Sequence, residues 1–147
     1  MQTKLLAEHE GMKTFALILE TGDEVLSCIE NFARKEDLDG AQFSAIGALS
    51  DAVLTYFDWE TKDYLENPVD EQVEVASLNG DVALSPDGRQ AIHIHAVLGK
   101  RDGTALAGHL AKAHVRPTLE VVLTEAPRHL QKRFDEESGL ALIRPEG

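Results

Sequence analysis

Three histidines lie close together in the middle of the chain, and neutral imidazoles are common ligands of transition metals. His93 and His95 belong to an apolar run over residues 91–99, and His109 follows after a turn. Because side chains alternate between the two faces of a strand, His93 and His95 project from the same face. A third imidazole on that face would complete a site for a divalent transition metal. We expect Zn²⁺, with Fe, Ni, Cu and Mn as alternatives.

The turn between the two strands decides whether His109 joins the other histidines. If residues 101–103 form a three-residue loop, His95 lies opposite His109, with Cβ atoms roughly 4.5–5.5 Å apart. A two-residue turn would place His109 opposite Ala96, on the other face of the sheet. Gly103 favours the longer loop, because glycine adopts the left-handed conformation that closes it. A metal site and three half-buried strand histidines therefore stand as two open interpretations.

Glu120 and Arg116 are further candidates for the site. Glu120 lies in the apolar run of residues 119–123, where a carboxylate is costly to bury without a partner. It could accept a hydrogen bond from a metal-bound imidazole, or act as a general base toward water at the metal. It could equally point to solvent or to a subunit interface. Arg116 could bind an anionic group of a ligand or lie on the surface. Both assignments, and enzymatic activity itself, stay open.

Composition indicates a soluble globular protein of one domain. The chain has 147 residues, of which 43% are hydrophobic and 27% charged. This length suits one domain over residues 1–147, with a core over about residues 13–143. The only cysteine, Cys28, cannot form an intramolecular disulfide, which is typical of a reducing compartment. We expect no leader peptide, and no apolar run reaches about 18 residues, so we also expect a cytoplasmic protein without membrane contact.

The apolar pattern predicts an α+β fold, a mainly antiparallel β-sheet with one principal helix packed on it. Helical spacing predicts that helix from Val25 to about Lys35, with Asp23 as its N-cap. Pro127 could begin a second, short helix that runs to about Phe134. Besides the two histidine strands, we predict strands at residues 13–20, 42–49, 52–57, 64–66, 72–78, 82–84, 119–125 and 139–143.

Five short segments together resemble a known family. They are Ser-Ala-Ile-Gly-Ala-Leu at 44–49, Tyr-Phe-Asp at 56–58, His-Ile-His at 93–95, Gly-His-Leu at 108–110 and Leu-Glu-Val-Val-Leu at 119–123. In this order they resemble the plants-and-prokaryotes conserved domain, or PPC domain, over about residues 15–143. The resemblance implies a homotrimer, and it marks His93, His95 and His109 as the metal ligands. In plants this domain follows AT-hook DNA-binding motifs, but no Arg-Gly-Arg core occurs here.

Three functions follow from these observations. The first is a trimeric metal-binding protein that takes a small-molecule ligand at the metal, with an undefined activity of hydrolase or lyase type. The second is a DNA-associated regulatory protein, and the third is a structural oligomerisation module without chemistry. The net charge of −12 opposes the second function, because binding to a phosphate backbone needs clustered cations. We therefore expect nucleic-acid binding to be absent for this chain alone.

Overall fold

The computed structural model describes residues 1–126 and 131–144, and its main feature is a seven-stranded antiparallel sheet. The elements are β1 (Gln2–His9), β2 (Met12–Glu20), α1 (Val25–Lys35), β3 (Gly40–Asp58), β4 (Asp63–Val69), β5 (Val73–Leu84), β6 (Gln90–Gly99), β7 (Ala105–Glu125), β8 (Lys132–Phe134) and β9 (Ala141–Ile143). The strand order is β1-β2-β7-β6-β5-β3-β4, and β8 and β9 form a separate hairpin. The described residues therefore form a mainly antiparallel sheet with one short helix, as predicted.

The two longest strands curl the sheet upon itself. β3 has 19 residues and β7 has 21, and they pair with each other as well as with β5 and β6. This additional pairing closes a ring of β3, β5, β6 and β7. The break predicted between residues 49 and 52 is wrong, because β3 runs through it with shifts in register at Leu49 and Asp51. Bulges of this kind bend a strand without ending it.

The N-cap of helix α1 lies one residue later than predicted. It is Glu24, whose carboxylate accepts hydrogen bonds from the backbone N–H of Leu26 at 3.3 Å and of Ser27 at 2.8 Å. Asp23 instead accepts a hydrogen bond from the backbone N–H of Glu20, in the turn that precedes the helix. The predicted apolar face is confirmed, and the helix packs on β6 and β7. Its buried residues are Val25, Ile29, Phe32 and Ala33.

Two ends of the chain differ from the sequence prediction. β1 was not predicted, because all eight of its residues are exposed and no alternation marks a buried face. Residues 127–130 of the predicted second helix lie outside the described residues, and the rest of that prediction is wrong. Lys132–Phe134 is a strand, because its backbone pairs with Ala141–Ile143. No helix in the described part of the chain is long and apolar enough to cross a membrane.

Aliphatic side chains fill the interior of the ring and the space under α1. This composition follows from the low aromatic content of the chain, which is 5%. The histidine strands contribute Leu98 and Leu110, both fully buried, so β6 and β7 are fixed by packing. Such packing holds the outward-facing side chains of these two strands in a defined register. The largest buried side chains also include Leu17, Leu19, Ile29, Leu49, Leu119 and Leu123.

Candidate metal centre

A three-residue loop joins β6 to β7, as the turn sequence predicted. The backbone N–H of Lys100 donates to the carbonyl oxygen of Thr104 at 2.8 Å, and the backbone N–H of Gly103 donates to the carbonyl oxygen of Lys100 at 3.0 Å. Gly103 has φ +84°, the left-handed conformation that the loop requires. As a result, His95 pairs with His109. The alternative register, in which His109 would lie opposite Ala96 on the other face, does not occur between β6 and β7.

The structure brings His93, His95 and His109 together. Their potential ligand atoms all lie within 4.8 Å of one another. The ring centroids are 4.9 Å apart for His93 and His95, 5.0 Å for His93 and His109, and 5.6 Å for His95 and His109. Two nitrogens on one tetrahedral Zn²⁺ lie about 3.3–3.4 Å apart, because each Zn–N bond is about 2.0–2.1 Å. The ligand atoms would therefore approach one another by up to about 1.5 Å to hold one ion.

The surroundings of the cluster favour neutral imidazoles. Burial, together with positive charge on His93, His95 and Lys132, lowers the pKa of His109 to about 4. Burial also lowers the pKa of His95, with a smaller contribution from His93. Both rings are thus unprotonated at neutral pH, which is the form that ligates metals.

One nitrogen of the cluster is buried without a hydrogen-bond partner among the described residues. His109 Nδ1 is buried and makes no hydrogen bond to any described residue. A buried polar nitrogen without a partner costs free energy. Three imidazoles, one of which carries this unpartnered nitrogen, form a donor set that fits a divalent transition metal.

Asp81 is a neighbour of the cluster that the sequence analysis missed. It lies opposite His93 in the pairing of β5 and β6, and its Oδ2 is 3.4 Å from His93 Nδ1. A carboxylate in this position can orient a ligating imidazole and increase its basicity. The signal was available in part, because the segments on either side of Asp81, residues 72–78 and 82–84, were predicted to be strand. The pairing register between residues 81 and 93, however, cannot be obtained from either strand alone.

The structure does not bring Glu120 or Arg116 to the histidines within one chain. Glu120 is exposed and pairs with Ile18 and Ile46, whereas His109 lies eleven residues earlier on the same strand. Eleven residues of straight strand span about 36 Å. Glu120 can therefore neither accept a hydrogen bond from these imidazoles nor act on water beside them, unless a second subunit supplies it. Arg116 is likewise exposed.

Comparison with known proteins gives both a family and a fold. The family model described as the Plants and Prokaryotes Conserved (PCC) domain matches residues 6–127. A plant- and prokaryote-conserved (PPC) protein of Pyrococcus horikoshii is 30% identical, with a TM-score of 0.84 over 99% of this chain and 96% of that chain. A protein of Archaeoglobus fulgidus described as metal-containing is 33% identical, with a TM-score of 0.83 over 98% of this chain and 99% of that chain.

A third similar structure has a different description. It comes from Ralstonia eutropha, is named "Putative DNA-binding protein", and is 27% identical with a TM-score of 0.83 over 90% of this chain and 91% of that chain. No curated protein matches the chain.

Proposed function

The chain belongs to the Plants and Prokaryotes Conserved (PCC) domain family, and we propose that it is a metal-binding member in which His93, His95 and His109 hold a divalent transition metal. The observation that supports this most is the set of three ligand atoms within 4.8 Å of one another. The description of the similar Archaeoglobus fulgidus protein as metal-containing agrees with it. We propose Zn²⁺ as the ion, because imidazole suits it.

The chemistry of the site would depend on the positions that the protein leaves open. Three histidines leave at least one position for a small molecule. A bound cation would supply Lewis-acid chemistry there, which metal-dependent hydrolases and lyases use. Asp81 would hold the ring of His93 in place through the contact at 3.4 Å.

The experiment that tests the proposal is metal loading of the purified protein. Chelator-treated protein is titrated with Co²⁺, whose visible absorption reports coordination, and Zn²⁺ is then added in competition. We expect saturation at a single ion per chain and displacement by Zn²⁺, since Zn²⁺ generally binds nitrogen sites more tightly than Co²⁺. The absence of saturable Co²⁺ binding, together with no metal in the purified protein, would contradict the proposal.

Lowering the pH is expected to weaken metal binding, because protons compete for the imidazole nitrogens. An ordinary histidine gains a proton near pH 6.5. The pKa of His109 is about 4, and the pKa of His95 is also lowered, so these two rings stay neutral further into the acid range. Zn²⁺ affinity, measured by competition at several pH values, should fall between pH 7 and 5 less steeply than for three ordinary imidazoles. A fall of about four decades between pH 7 and 5, which three rings with the ordinary pKa would give, would contradict this.

We propose that the protein assembles as a homotrimer, the assembly that the family resemblance implies. Apolar side chains on the outer face of the sheet support an interface. Ile46 on β3 and Val122 on β7 are 63% and 49% exposed and lie diagonally across the paired strands. Light scattering should return three times the chain mass of 16.1 kDa. A monomer mass at micromolar concentration would contradict the trimer, and Ile46→Glu should shift the mass downward if this face is the interface.

DNA association remains the alternative function, because a similar structure carries that description. The net charge of −12 opposes it. A gel shift with duplex DNA at physiological salt distinguishes the two, and a salt-sensitive shift at micromolar protein would favour the alternative.

We also propose a cytoplasmic location, which the free Cys28 supports.

A further inference from the structure

A cavity of about 350 Å³ borders the histidine cluster. This volume lies at the small end of the usual range for ligand sites, which is about 300–1,000 Å³. It therefore suits a small molecule. Its polar lining comes from His93, His109, Tyr64 and Lys132, and its apolar lining comes from Ile92 and residues 140–143.

Lys132 brings a cation into this cavity from the β8–β9 hairpin. Its side chain is only 12% exposed, and its Nζ lies 3.9 Å from Asp81 Oδ1. That distance is longer than a hydrogen bond, and Asp81 Oδ1 is buried without a hydrogen-bond partner among the described residues. A largely buried ammonium in this position favours an anion in the cavity.

A bound metal would make the net charge around the cavity positive. Lys132 and Asp81 nearly cancel, and the histidines are neutral donors, so a divalent cation would leave the lining positive. The chain as a whole has a net charge of −12. A local positive region in an acidic protein attracts small anions selectively. The aliphatic side chains of Ile92, Leu142 and Ile143 in the same cavity add a surface that water covers poorly.

We infer that this cavity binds a small aliphatic carboxylate. The inference rests on the proposed metal site. The carboxylate group would be neutralised by Lys132 and by the cation that the histidines hold, and the alkyl chain would lie against Ile92 and residues 140–143. An inorganic anion would satisfy the charges but would leave the apolar lining uncovered.

The experiment uses the Co²⁺-loaded protein with acetate, butyrate and butyramide as probes. Butyrate should change the visible absorption of Co²⁺ in a saturable manner. It should bind about fifteen-fold more tightly than acetate, because each of its two additional CH₂ groups gains about four-fold when buried. Butyramide, which has the same shape without the charge, should give no saturable change. Equal affinity for acetate and butyrate, or binding of butyramide as tight as that of butyrate, would overturn the inference.

Variants of Lys132 separate its charge from its structural role. Lys132→Gln should weaken butyrate binding at least about ten-fold, because a charge-assisted contact to the carboxylate is lost. It should still bind one Co²⁺ per chain, because the three histidines are retained. Lys132→Arg keeps the charge and should retain most of the affinity. Lys35→Gln, an exposed lysine at the end of α1, is the matched control and should bind butyrate like the unmodified protein. Undiminished butyrate affinity in Lys132→Gln would overturn the inference.

The outcomes distinguish this inference from the proposed function. A protein that loads Co²⁺ but shows no saturable response to butyrate overturns the carboxylate site alone. A protein that loads no Co²⁺ overturns the metal site and the carboxylate site with it. If Lys132→Gln does not fold, the comparison of acetate, butyrate and butyramide on the unmodified protein still decides the matter.

Discussion

Replacing His95 with Ala is expected to abolish most of the metal binding and to leave the fold intact. With one of three ligands removed, the affinity should fall about a hundred-fold or more, since each ligand carries a substantial share of the binding free energy. His95 is exposed, and the buried core is built from other side chains. The loss should therefore appear in metal content rather than in secondary structure.

Metal analysis after gel filtration measures the effect of His95→Ala, and far-UV circular dichroism checks the fold. His9→Ala is a matched control, because His9 is a strand histidine whose side chain is 83% exposed and far from the cluster in sequence. The control should retain its metal. Unchanged metal content in His95→Ala would show that the three imidazoles are only structural neighbours.

Local rules account for the histidine cluster itself. Alternation along β6 places His93 and His95 on one face, and the left-handed Gly103 sets the loop that brings His109 opposite His95. Each step depends on residues close together in the chain. The remaining neighbours depend on pairings that local rules do not determine. Asp81 lies on β5, and Lys132 lies on the β8–β9 hairpin near the C-terminal end of the described residues.

The same distinction between local patterns and long-range pairing explains which parts of the fold could be predicted. The helix was predictable because its buried residues recur at 3.6-residue spacing. β1 was not, because a strand exposed on both faces has no periodicity to detect. The Ser50-Asp51 pair has the composition of a turn, yet long pairing between β3 and β7 carries the strand across it. Glu120 was considered for the site because its strand is apolar, but the length of β7 keeps it away from His109.

Gly47 is a position in the fold where a small substitution should cost much stability. It lies in β3 between two shifts in register, where β3 pairs with both β5 and β7. A Cβ at this position would overlap the carbonyl oxygen of Thr118 and lie 2.8 Å from Leu119 Cα, and the backbone φ of +152° disfavours any side chain. Both neighbours are backbone atoms, which cannot rotate away. Gly47→Ala should therefore lower the free energy of unfolding by about 3 kcal/mol or more.

Urea denaturation at a fixed protein concentration measures this loss, and the corresponding fall in melting temperature would be roughly 10 °C. Two other glycines distinguish backbone strain from steric overlap as the cause of the loss. Gly88 has φ +79° with no atom within 4 Å, so Gly88→Ala should cost only the backbone strain, about 1 kcal/mol. Gly99 has no positive φ and no atom closer than 3.8 Å, so Gly99→Ala should be nearly neutral. If Gly47→Ala cost no more than Gly88→Ala, close contact between β3 and β7 at Thr118 would not be what requires glycine there.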